Sequence, residues 1–127
     1  MGEGRSNNAM IAIMLLFCMF VFHSEITHAE IYTVGGAAGW SPYVRNWPID
    51  KYFKNGDQFV FKYNPKLYNV VKVDQAGYNA CDVKNAIAVY KSGNDRVTLQ
   101  SGVHFFICGI GDNCPRHGMS AVIQVEN

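Results

Sequence analysis

The chain has 127 residues, of which 49% are hydrophobic and 17% charged, and a formal net charge of +1 at pH 7. That length suits one domain with a packed core, and so slight a charge leaves no electrostatic footprint for nucleic acid or an anionic membrane surface. Four cysteines in so short a chain make the redox compartment the first question.

In chain order, the first element is an apolar run from Ile11 to Phe22, preceded by a polar stretch containing Arg5 and followed by Thr27-His28-Ala29. This is the pattern of a secretory signal peptide, with small residues at the positions a signal peptidase reads. The expected division is therefore a leader over 1–29 and one domain over 30–127. The run falls well short of the roughly 20 apolar residues that a spanning helix needs. The C-terminal Val122-Ile123-Gln124-Val125-Glu126-Asn127 has no hydrophobic tail of the kind exchanged for a lipid anchor. A secreted, extracellular protein without a membrane anchor is expected, with no Asn-x-Ser/Thr acceptor for N-glycosylation. Loss of the leader removes Met1, Met10, Met14, Met19 and Cys18, so Met119 is the single methionine that remains. Cys81, Cys108 and Cys114 then form an odd set.

The rest reads as short β-branched and aromatic runs separated by Gly, Asn, Asp and Pro clusters, the pattern of an all-β sandwich. Strands are predicted over Ile31–Val34, Gln58–Tyr63, Asn69–Val73, Ala88–Tyr90, Arg96–Leu99, Val103–Cys108 and Met119–Val125. Period-two alternation puts Phe59, Phe61 and Tyr63 on one face, and Met119, Ala121, Ile123 and Val125 on one face of the last strand. Turns are predicted at Asn55-Gly56-Asp57, Asn64-Pro65-Lys66, Ser92-Gly93-Asn94-Asp95 and Ser101-Gly102. Only Tyr78–Ile87 has the character of a short helix or irregular crossover.

In an oxidising compartment three cysteines imply one disulfide and one thiol with another purpose. Cys81 with Cys114 is the expected pair; Cys108 with Cys114 would close a very small loop, and stays as the alternative. Cys108 and Met119 flank a short loop between two strands, and a thiolate and a thioether so placed are donors for a mononuclear copper centre. Such a centre also needs imidazoles. His117 lies in the same loop and is a substitute ligand if it turns inward, or a solvent-facing histidine if it does not. His104 lies roughly 13 Å up an extended strand from Cys108, too far to join. A zinc set of Cys81, Cys108, Cys114 and His117 conflicts with a disulfide in a secreted chain. A Cys108–His117 nucleophile pair lacks an orienting third group, so no enzyme is expected. Trp40, Trp47, Tyr52 and Phe53 read as core and end-loop packing ahead of a ligand groove.

Ordered motifs over the whole domain carry a resemblance. They are Tyr32-Thr33-Val34-Gly35, Gly39-Trp40, Trp47-Pro48, Phe53-x-x-Gly56-Asp57 and Phe61-x-Tyr63-Asn64-Pro65. Asn69-Val70-Val71-x-Val73, Gly77-Tyr78-x-x-Cys81, Phe106-Ile107-Cys108, Cys114 and Gly118-Met119 continue them. The chain resembles the phytocyanins, small secreted plant cupredoxins, and among them the plantacyanins or basic blue proteins. The resemblance implies a cupredoxin-like Greek-key β-sandwich of two antiparallel sheets, a Cys81–Cys114 disulfide, and a type 1 copper site used for electron transfer. Its four ligand positions fall on Tyr68, Cys108, Asn113 and Met119, so cysteine and methionine are retained and both histidines are replaced. The loop is also one residue longer than the family pattern, with Pro115-Arg116-His117-Gly118 between Cys114 and Met119.

A carboxamide oxygen is a weak donor, and a neutral phenol must surrender its proton to become an anionic one, whereas copper(II) draws its strength from imidazole and thiolate. No cofactor is therefore expected. The expected role is a monomeric extracellular interaction or signalling module of the apoplast or cell wall, its partner an unidentified extracellular protein or wall component. The alternative is a one-electron copper carrier using Cys108 and Met119, with His117 as a substitute.

Overall fold

The computed structural model describes residues 28–127; the predicted leader lies outside the described residues except for His28 and Ala29. Eight strands follow in order: β1 (Ile31–Thr33), β2 (Phe53–Lys54), β3 (Gln58–Lys62), β4 (Val70–Val73), β5 (Ala88–Tyr90), β6 (Asn94–Thr98), β7 (Gly102–Ile107) and β8 (Ser120–Glu126). Helix α1 (Gln75–Ala80) lies between β4 and β5, and α2 (Asn113–His117) between β7 and β8. Short 3-10 turns form at Gly36–Ala38 and Val44–Asn46.

The strands make two sheets, β1-β3-β6 and β2-β8-β7-β4-β5. Pairing is antiparallel for β3–β6, β4–β5, β4–β7 and β7–β8. The edge pairs β1–β3 and β2–β8 are parallel, a pairing that needs a long crossing connection instead of a hairpin.

Between the sheets, Phe59 and Phe61 of β3 meet Val70, Phe106, Ala121, Ile123 and Val125, with Trp40, Cys108 and Met119 at one end of the same cluster. The alternation expected for β3 and β8 therefore faces the core, and Phe61 packs on Phe106 with ring centroids 5.0 Å apart. A second cluster of Val71, Val73, Ile107 and Cys114 lies on the opposite face of the five-stranded sheet, packed by Tyr78, Cys81 and Phe105. Burial on both faces is why Val70-Val71 of β4 and Phe106-Ile107 of β7 are consecutive apolar residues.

Four local readings differ. β6 begins at Asn94, so Asn94 and Asp95 are strand residues although Asn and Asp are turn formers. Asp95 is held there by Tyr63 Oη, which donates to Oδ2, and by Ser92 Oγ, which donates to Oδ1 at 2.6 Å. The helix predicted within Tyr78–Ile87 starts earlier, because the Asp74 side chain caps it by accepting the Gly77 N–H at 2.8 Å. β2 and α2 are additional elements, both too short for a periodic signature. Strand ends at Val34, Tyr63, Asn69, Leu99, Cys108 and Met119 are trimmed.

Candidate metal centre

Cys108 follows the last residue of β7 and Met119 precedes the first of β8. Their segments are joined by the Cys108 N–H donating to the Met119 carbonyl at 2.9 Å. Both side chains are closed off from solvent, Cys108 at 2% and Met119 at 0% exposure, and Cys108 is a free thiol. Tyr68 is half-buried against the same cluster. Cys108 and Met119 thus belong to the inner core, and Tyr68 packs against that core.

The loop from Cys108 to Met119 is organised by its backbone. The Gly109 N–H donates to Asn69 Oδ1 at 2.7 Å, and Trp40 Nε1 donates to the Asn69 carbonyl at 2.9 Å, so Asn69 fastens the loop to the turn carrying Tyr68. Gly109 must be glycine for space: a Cβ there would come within 2.9 Å of Val83 Cγ1 and 3.0 Å of Val71 Cγ2. Helix α2 ends at Gly118, whose φ of 57° is left-handed and favours glycine, and the Met119 N–H donates to the Asn113 carbonyl at 3.0 Å. Asn69 and Trp40 are positioning residues, a role the sequence does not assign them: Trp40 reads as core packing and Asn69 as the start of a strand, and neither expectation says what the Asn69 amide will hold.

Asn113 turns its side chain along its own loop, with Nδ2 donating to the Ile110 carbonyl at 2.9 Å. His117 sits in the last turn of α2. Its Nε2 lies 3.7 Å from Asp112 Oδ1, its ring makes an edge contact with Tyr43 at 6.3 Å between centroids, and its side chain is 43% exposed. The structure thus places the His117 ring on Asp112 and Tyr43 at the surface. His104 places Nε2 2.7 Å from the Gln100 carbonyl. Among the described residues, no group of three or more His, Cys, Asp or Glu side chains is arranged to hold a metal ion.

Beside the thiol, Tyr63 has its phenol pushed up to about 12, by burial first and then by the hydrogen bond to Asp95. The disulfide joins Cys81, the left-handed residue ending α1, to Cys114 inside α2. The two clusters explain the choice of partner. Cys114 belongs to the outer face of the five-stranded sheet and Cys108 to the inner core, so the alternative Cys108–Cys114 pair is not formed.

Residues 40–119 match the plastocyanin-like domain family. The chain is a phytocyanin. It is 40% identical over 114 residues to chemocyanin of Lilium longiflorum, covering 89% of each chain. Against the basic blue protein of Arabidopsis thaliana it is 38% identical over 126 residues, covering 98% of each. The solved cucumber basic protein, a blue copper protein, superposes with a TM-score of 0.71 at 38% identity, over 76% of this chain and 99% of that one. The phytocyanin sandwich is thus the cupredoxin-like architecture that the motifs implied, and among its described residues no helix is long and apolar enough to cross a membrane.

Proposed function

We propose that this phytocyanin is a secreted, non-catalytic interaction or signalling module whose type 1 copper site is degenerate. One observation carries the reading: around the buried Cys108 and Met119, the positions that need imidazoles hold a phenol and a carboxamide. The Tyr68 ring packs on the core, and the Asn113 amide is engaged with Ile110. Oxidised copper with one thiolate, one thioether and no nitrogen donor loses most of its equatorial ligand strength. The residues present therefore do not fit copper(II). Extracellular placement is supported by the leader pattern and by the Cys81–Cys114 disulfide, which an oxidising compartment favours.

The second reading, a one-electron copper carrier using Cys108, Met119 and His117, is favoured by the retention of both sulfur residues on hydrogen-bonded segments. It requires His117 to leave Asp112 and Tyr43. Titration of the folded, secreted domain with copper(II) separates the two. The expected result is no intense absorption at about 600 nm and no narrow-hyperfine EPR signal. A blue, reversibly reducible protein refutes the copper-free reading. Tyr68→His with Asn113→His is expected to bring the colour back; a colourless double variant assigns the defect to the lengthened Pro115–Gly118 segment instead.

A further inference from the structure

Asp57 closes the turn between β2 and β3 with its carboxylate at 2% residue exposure. Two main-chain donors reach it, the Lys54 N–H on Oδ2 at 2.7 Å and the Glu30 N–H on Oδ1 at 2.9 Å. No lysine, arginine or histidine side chain pairs with it among the described residues, where the ion pairs recorded are those of Asp112 with Arg116 and His117. A buried carboxylate with no cation beside it is costly. Glu30 is anchored on both sides, because its carbonyl accepts the Gln58 N–H at 2.9 Å just before the β1–β3 register begins. Its nitrogen also belongs to the bond at which the leader is expected to be cut.

We infer that cleavage between Ala29 and Glu30 supplies the missing cation: the new α-ammonium of Glu30 pairs with Asp57, so that leader removal completes a buried ion pair and tightens the β1–β3 edge. The inference rests on the leader reading. Hydrolysis adds water across the Ala29–Glu30 bond, leaving a carboxylate on Ala29 and an amine on Glu30 that takes up a proton at neutral pH. The uncleaved chain offers Asp57 only a neutral amide at that point. Asp57 lies on the Glu30 nitrogen, and Asp57, the Glu30 side chain and the Tyr32 phenol of β1 interact by charge around it. The Tyr32 phenol is raised by burial first, then by the charges of Asp57 and Glu30.

The experiment compares the oxidised domain beginning at Glu30 with a free amine, the same chain Nα-acetylated, and a chain that retains Ala29. At pH 6.5 the free-amine form is expected to unfold several degrees above both others, with the gap abolished by Asp57→Asn. The gap should also close as the pH rises. An amine whose pKa is raised by its partner contributes stability below its unfolded value of about 8, and loses it as the pH passes the folded value. That pH series keeps the test sharp if Asp57→Asn does not fold. Equal midpoints for the free and acetylated chains at pH 6.5 overturn the pairing. N-terminal sequencing of the secreted protein tests the other half separately, and a start at any residue other than Glu30 overturns the maturation role even where the recombinant pair forms.

Discussion

Cys81 and Cys114 are 33 residues apart in sequence, and their bond ties the end of α1 to the loop between Cys108 and Met119. In the chain-entropy treatment, closing a loop of that length restrains the unfolded chain by about 3.5–4 kcal/mol. For a domain of this size each kcal/mol moves the midpoint by about 4–8 °C, so loss of the crosslink is expected to lower it by about 15–30 °C. Thermal unfolding followed by circular dichroism, on the oxidised protein and on Cys81→Ser with Cys114→Ser, reads this directly. The double substitution removes both sulfurs and leaves no new thiol to scramble with Cys108. Because Cys114 is packed with Val71, Val73 and Ile107, a small packing loss adds to the entropic effect. A drop of less than about 3 °C would show that α1 and the loop hold their positions without the crosslink, and the argument that the staple organises this end of the domain would fail.

Gly109→Ala drives a methyl group into Val83 and Val71, and is expected to cost about 1–3 kcal/mol in chemical denaturation. Asn69→Ala leaves the Gly109 N–H without its acceptor, costs about 1–3 kcal/mol, and should speed reaction of the buried Cys108 thiol with a disulfide reagent. In an alkaline spectrophotometric titration, Tyr63 is expected to ionise last, near its raised value of about 12, and Tyr63→Phe should delete that step. Its folded pKa lies above the unfolded value of about 10, so its contribution to stability is intact below pH 10 and is lost as the pH climbs toward 12. A Tyr63 that titrates with exposed tyrosines would contradict the buried bond to Asp95.

What the sequence disclosed and what it hid divide along the range of the interaction. Alternation in Phe59-x-Phe61 and Met119-x-Ala121-x-Ile123-x-Val125 is local, and the residues concerned are buried as expected. The apolar doublets Val70-Val71 and Phe106-Ile107 are also local, but alternation cannot say that a second layer waits on the outer face. That layer is α1 with Tyr78, held by the capping of Asp74 and by the disulfide. Helix α2 was hidden for another reason: a five-residue helix with Pro115 at its centre is held by its buried Cys114 and by Gly118, not by periodicity. The ligand positions could be located only because ordered motifs matched a family, since Tyr68 and Cys108 are far apart in the chain and are brought to the same core cluster only by folding.

Polar contacts were the least legible class. Asn69 reads as the first residue of a strand and Asp57 as the last residue of an Asn-Gly-Asp turn, yet each reaches a main-chain N–H across the fold, at separations of 40 and 27 residues. Side chains that look like turn formers are short, and shortness also lets them bond main chain where two segments approach closely. Tertiary packing decides between the two uses. In both places the decisive polar group is therefore a residue type that local propensity favours in turns: Asn69 on the loop that follows Cys108, and Asp57 beside the nitrogen that processing is expected to free.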